Sequence, residues 1–128
     1  VQMVFWAIDK MLGGEIFVPK IPSYRILDLA NAIGPNCEKK IIGLRPGEKI
    51  HEEMITSSDS YSTIDIYNYY VILPSYGEYK KNYIKAGIKF EEVEKEFSYN
   101  SGSNKRFLTK EEIIQLIRKN IDSSFNPV

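Results

Sequence analysis

Cysteine, histidine and tryptophan each occur only once in these 128 residues. A single cysteine, Cys37, excludes an internal disulfide and is consistent with a reducing cytoplasm. It lies in a Pro-Asn-Cys-Glu turn with no histidine or second cysteine nearby, and reads as a bystander. One histidine and no cysteine pair leave no ligand set for a tetrahedral metal site. Net charge is missing too: 17 basic residues balance 17 acidic ones. That balance excludes the broad basic field of a nucleic-acid binder and the polybasic run of a membrane-surface protein. No apolar run approaches the roughly 20 residues of a membrane-spanning helix. Val1 to Trp6 is apolar but has no basic region before it, so it does not read as a signal peptide. A glycine-rich phosphate loop after a strand, a nucleophile elbow, an internal repeat and a low-complexity linker are all lacking.

What is present is ordinary for a soluble globular domain, with 43% hydrophobic and 27% charged residues. The length fits one α/β domain, read as residues 1–121, followed by a frayed tail over 122–128. The chain opens on Val1 already in a helical pattern, the expectation for a piece whose N-terminal part is missing. Val1, Val4, Phe5, Ile8, Met11 and Leu12 recur at helical spacing up to Gly13-Gly14. Glu15 to Val18 reads as a strand closed by Pro19 and Pro22. Ser23 is expected to cap a helix whose apolar face is Ile26, Leu27, Leu29, Ala30 and Ile33, ending at Gly34-Pro35. Lys39 to Gly43 reads as a strand, and Glu48 to Ile55 as a short helix. Ser62 to Ile66 and Tyr69 to Leu73 are rich in β-branched and aromatic residues, and the Tyr67-Asn68 link makes them a hairpin. Tyr79 to Ala86 reads as a helical turn, Glu91 to Glu96 as a solvated acidic stretch, Phe97 to Tyr99 as a short strand and Asn100 to Asn104 as a turn. Thr109 and Glu112 form a capping box for a last helix with Ile113, Ile114, Leu116, Ile117 and Ile121 inside.

The most informative stretch is Ile42 to Met54. Pro46 and Gly47 fold the backbone into a tight turn. Arg45 is expected at the exit of a strand, beside the N-terminus of the following helix. A guanidinium held there can bind a phosphate bidentately, helped by the helix end. The competing reading pairs Arg45 with Glu48 or Glu52 on a solvated surface. Lys20, between two prolines, is either a phosphate or partner contact or a solvated lysine. His51 is either a general base or a surface residue. Tyr61, Tyr67, Tyr69 and Tyr70 read as packed on a sheet, since no nearby cation supports a base-stacking platform. Tyr76 and Lys80 stand four apart, as in some reductases, but nine tyrosines make one such match expected by chance. No residue of the chain completes a catalytic apparatus.

Three segments together resemble a known family. They are Gly13-Gly14-Glu15-Ile16-Phe17-Val18-Pro19-Lys20-Ile21-Pro22-Ser23, Gly43-Leu44-Arg45-Pro46-Gly47-Glu48-Lys49-Ile50-His51-Glu52, and Tyr69-Tyr70-Val71-Ile72-Leu73-Pro74 with the later Tyr99-Asn100-Ser101-Gly102-Ser103-Asn104. They resemble the C-terminal part of the inverting UDP-N-acetylglucosamine 4,6-dehydratases and related polysaccharide-biosynthesis proteins, which are extended short-chain dehydrogenase/reductases. The resemblance implies an α/β fold of short strands with packed helices: the substrate-binding portion of such an enzyme, with its Rossmann domain missing. It further implies that the full enzyme binds NADP in that N-terminal domain, where the catalytic tyrosine, lysine and acidic residue lie. A hydride leaves the fourth sugar carbon, water is eliminated across the fifth and sixth, and the hydride returns to the sixth. The 4-keto-6-deoxy product serves surface polysaccharide or pseudaminic acid synthesis. Carried over by position, Arg45 and Glu48 are the substrate-binding residues, and none here is catalytic. The implied partners are a UDP-sugar, a Rossmann domain in cis or in trans, and further copies of the full-length protein. The implied location is the cytoplasm. Two rival readings stand beside this one: a non-catalytic interaction module or remnant that partners a separate Rossmann subunit, and a sugar-nucleotide epimerase on the same scaffold.

Overall fold

The computed structural model describes all residues, Val1 to Val128. The chain folds as two compact units, one formed by Val1–Ile21 and Glu53–Asn100, the other by Pro22–Glu52 and Ser101–Val128.

The first unit is built on an antiparallel sheet. Helix α1 (Gln2–Lys10) leads through Gly13 and Gly14 into β1 (Ile16–Pro19). Both glycines take positive φ, +112° and +86°, so the chain can reverse there without steric cost. The expected hairpin is present as β3 (Thr63–Ile66) and β4 (Tyr69–Ile72), entered from a 3-10 turn at Asp59–Ser62. With β5 (Glu91–Glu92) the strand order is β1-β4-β3-β5. Phe17, Val71 and Ile64 share one register row, and Val18, Tyr70 and Asp65 the next. Alternation therefore sends the two rows to opposite faces. On one face Ile64, Ile66, Val71 and Leu73 bury against Tyr83 of α3 (Tyr79–Lys85), with Trp6, Phe17 and Phe90 around them. On the other, Val18 packs with Ile55 and Tyr99. Those two residues belong to a separate antiparallel pair, β2 (Glu53–Ile55) with β6 (Tyr99–Asn100).

The second unit holds two helices packed on each other, α2 (Ile26–Ile33) and α4 (Lys110–Asn120). The expected capping box is present: the Glu112 amide donates to Thr109 Oγ1, and the Thr109 amide to the Glu112 carboxylate. Helix α2 ends at Gly34 as expected, but Ser23 does not cap its start; Arg25 occupies that position without a side-chain hydrogen bond. Ser23 is instead tied into an extended pairing, receiving Leu108 N–H and donating its own amide to Arg106 O.

Three further expectations are corrected. Lys39 to Gly43 is not a strand: no partner strand is paired with it, and Ile41 and Ile42 are 83% and 78% exposed. Lys39 itself caps the end of α2, donating to the carbonyls of Gly34 and Pro35. Glu48 to Ile55 is not a helix; its last three residues form β2 because Tyr99–Asn100 supplies a ladder. The apolar face of α4 is narrower than its pattern, since Ile113 is buried but Leu116 and Ile121 are exposed. Beyond α4, the Val128 amide donates to Ile33 O and Arg118 Nε to Phe125 O.

Candidate functional site

The segment from Ile42 to Glu52 is irregular, so the position of Arg45 comes from its own turn. Pro46 sets one dihedral, Gly47 takes φ +86°, and the Glu48 amide donates to Arg45 O at 3.0 Å. That is the pattern of a type II turn. Glu48 then closes the turn a second time. Its carboxylate accepts from the Arg45 backbone amide at 2.8 Å and from Nε at 2.7 Å, and forms an ion pair with Nη2 at 2.6 Å. The Arg45 amide, and then its guanidinium, hold the Glu48 carboxyl below the usual glutamate value. The arginine side chain remains 79% exposed. One edge of the guanidinium is thus fixed by Glu48, while the exposed side chain leaves the rest of it open to solvent. The expected helix N-terminus beside Arg45 does not exist, so the charge of the guanidinium is the anion-attracting element here.

The loop carrying this turn is anchored at its far end within the same unit. Ser101 and Glu52 exchange two hydrogen bonds, Ser101 N to Glu52 O at 2.8 Å and Glu52 N to Ser101 Oγ at 3.0 Å. His51 lies directly on Gly102: a Cβ at that glycine would stand 2.6 Å from the imidazole ring. His51 is exposed and packs on backbone, a placement that fits a surface residue better than a general base. Residues 101 and 102 were not singled out as anchors from sequence, although they lie in the third shared segment. Long-range backbone pairing left no periodic signal by which to find them.

Lys20 belongs to the first unit and is not a solvated loop lysine. Its ammonium donates to both oxygens of Asp65 at 2.6 Å and sits 4.4 Å from the Tyr70 ring centroid. Asp65 was missed in the sequence. Its only signal was an acid placed inside the β-branched run Thr-Ile-Asp-Ile. The tyrosines divide: Tyr69 and Tyr70 pack on the sheet, whereas Tyr61 and Tyr67 are exposed. Tyr76 packs edge-on against Tyr79, and Lys80 pairs with Glu92 at 2.6 Å, so the spacing of Tyr76 and Lys80 brings no reactive pair together. Cys37 is exposed beside Gly34. Gly13 and Gly14 lie between a helix and a strand, the reverse of the strand-turn-helix order that cradles a dinucleotide. These residues therefore do not fit such a cofactor.

The structure thus combines a mixed α/β fold with a braced, exposed arginine on a Pro-Gly turn. Residues 1–74 match the model of the family described as polysaccharide biosynthesis protein. The chain is 46% identical over 121 residues to the inverting UDP-N-acetylglucosamine 4,6-dehydratase of Campylobacter jejuni, covering 91% of this chain and 36% of that protein. It is 34% identical over 124 residues to the UDP-glucose 4-epimerase of Rickettsia felis, covering 91% of this chain and 35% of that one. The X-ray structure of Pen from Bacillus thuringiensis superposes on 92% of this chain and 35% of its own, with a TM-score of 0.71 at 26% identity. The chain belongs to the polysaccharide biosynthesis protein family and corresponds to a C-terminal part of the longer dehydratases. It spans about a third of the length of the curated relatives it matches. No helix is long and apolar enough to cross a membrane.

Proposed function

We propose that this chain is the UDP-sugar-binding part of an inverting UDP-N-acetylglucosamine 4,6-dehydratase, a lyase of the extended short-chain dehydrogenase/reductase class. Arg45 binds the pyrophosphate through its open edge, and Glu48 holds that guanidinium in place. The observation that carries this reading is the doubly closed turn. The Glu48 carboxylate accepts two hydrogen bonds from Arg45 and pairs with its Nη2, bracing an arginine that nevertheless remains open to solvent. An arginine fixed before the ligand arrives loses less side-chain freedom on binding, which favours it as a phosphate contact. The name carried by the 46% identical relative supplies the substrate class.

On this reading NADP and the catalytic groups belong to a Rossmann domain, joined in cis or supplied in trans. The whole enzyme forms homo-oligomers in the cytoplasm and makes a 4-keto-6-deoxy sugar nucleotide for surface polysaccharide or pseudaminic acid. The chain by itself, as a single domain over 1–121 with its tail, is inactive. Its exposed apolar side chains on α1, Val4, Phe5 and Ile8 among them, support packing against another domain.

Calorimetric titration with UDP tests the site. The chain should bind in the millimolar range, about 4 kcal/mol, and Arg45→Ala should abolish the heat. A folded chain that binds UDP equally well with alanine at this position would refute the assignment of Arg45. The epimerase similarity supports a second reading on the same scaffold. Product analysis of the full-length enzyme separates the two, because only a dehydratase releases a 4-keto-6-deoxy sugar.

A further inference from the structure

Away from Arg45, the first unit carries a cleft of about 830 Å³, lined by Lys20, Asp65, Tyr67, Ile84, Ile88 and Phe90 among others. Its origin is legible in the register. Strand β5 pairs with β3 at Ile64↔Glu92 and Asp65↔Glu91 and then stops, while β3 runs on to Ile66. Lys89 and Phe90 thus peel away from Ile66 and Tyr67, and the cleft opens between them. Its volume lies within the range of small-molecule sites.

The lining restricts what can bind. The charges balance, with Lys20 and Lys89 against Asp65 and Glu91. Both acceptor oxygens of Asp65 already hold the Lys20 ammonium, and that side-chain pair is only 29% and 27% exposed. A cation so engaged is a poor phosphate ligand. Asp65 still has lone pairs for hydroxyl donors, because a carboxylate accepts about four hydrogen bonds. Tyr67, also in the lining, stands 74% exposed at the hairpin tip with a positive φ of 52°. Ile84, Ile88 and Phe90 supply an apolar wall. A carboxylate–ammonium pair, an exposed aromatic ring and an aliphatic wall lining one cleft suit a neutral ligand with hydroxyls on its edge and C–H groups on its face.

The geometry points to this cleft as a saccharide-binding site that takes an uncharged hexose ring, with Asp65 accepting hydroxyl hydrogen bonds and Tyr67 stacking on the ring. The inference rests on lining chemistry in the first unit and not on the UDP-sugar reading of Arg45.

Amide-resolved NMR titration of the 128-residue chain with methyl β-glucoside, with methyl β-N-acetylglucosaminide and, separately, with inorganic phosphate tests it. Either glycoside should shift the amides of Gly87, Lys89 and Glu91 with a dissociation constant of about 1–20 mM, and phosphate should leave them in place. Tyr67→Asn retains a residue that tolerates positive φ and removes the ring. Asp65→Asn retains the shape and removes the charge. Each should weaken the glycoside response about tenfold or more, whereas Arg45→Ala should leave it unchanged. Saturating phosphate shifts without glycoside shifts would overturn the proposal. So would a glycoside response that survives Tyr67→Asn in a variant whose unliganded spectrum matches the parent.

Discussion

The two units bury very different interiors. The first encloses Val18, Ile55, Ile64, Ile66, Val71, Leu73, Tyr83 and Tyr99 on the two faces of its sheet. The second buries only Ala32 and Ile113 among its hydrophobic residues. It leaves Ile26, Ile41, Ile42, Leu44, Ile50 and Ile121 exposed and is held by local devices: a capping box, a lysine on helix carbonyls and a carboxylate that closes a turn. The Arg45 turn, proposed above as the anion contact, belongs to this second unit. A functional loop needs a support but not a core of its own, and exposed apolar residues around it are surface available to other partners.

The contrast can be broken most forcefully at Ile64, which is fully buried. Ile64→Ala should cost about 2–5 kcal/mol. Denaturation followed by Trp6 fluorescence reads this directly, because the chain's one tryptophan packs on Phe17 and Tyr69 in the first unit. A cost near zero would remove the claim that this sheet is the main core. In the second unit, Thr109→Ala should cost about 1 kcal/mol, seen as faster hydrogen exchange at the first amides of α4. A loss as large as that of Ile64→Ala would show that the caps do not merely trim this unit.

Acid probes the first unit in another way. Burial pushes the Glu15 carboxyl upward, but the amides of Leu12, Glu15 and Gly13 and the Tyr83 hydroxyl outweigh it, so its pKa is depressed. The same contact and its burial raise the Tyr83 hydroxyl. A depressed carboxyl contributes stability that is complete above its unfolded value and is lost as the pH falls through the folded one. Stability should therefore decline below the ordinary glutamate value, and Glu15→Gln should flatten that part of the acid limb in urea titrations. An unchanged acid limb would mean that the Glu15 carboxylate is not what ties Gly13 to Tyr83. The smallest effect belongs to Ile41→Ser in the exposed loop, expected within about 0.5 kcal/mol. A clear destabilisation there would reveal a packing role that the exposed position does not suggest.

Elements whose signals are local were legible in the residues. The hairpin at Thr63–Ile72 follows from β-branched runs around a two-residue link, and α4 from Thr109 and Glu112 spaced as a box. The turn at Arg45 follows from Pro46 and Gly47. The stretch Lys39 to Gly43 looked like a strand for the same propensity reason, yet a strand is half a structure: without a neighbour its backbone has no ladder to join. Residues 48–55 show the converse. Ile50, Met54 and Ile55 fit a helical face, but the run is too short for periodicity to decide, and Tyr99–Asn100 claimed Glu53–Ile55 for a ladder. Ser23 was a fair cap by type, and a remote partner, residues 106–108, took it instead.

The site divides along the same line. That Arg45 and Glu48 share one tight turn, and that the chain resembles a polysaccharide-biosynthesis protein, was readable from three motifs in order. That Arg45 pairs with Glu48 was one of two open alternatives; that Ser101 and Gly102 anchor the loop, and that Lys20 is spent on Asp65, was not legible. By itself the sequence determined the turns, the caps and the family, because each depends on neighbours a few residues apart. Only the tertiary structure decided which strands pair and which charges meet. The hardest of those choices depend on partners remote along the chain, as with Lys20 and Asp65 or Glu52 and Ser101, and on competition for the same backbone groups.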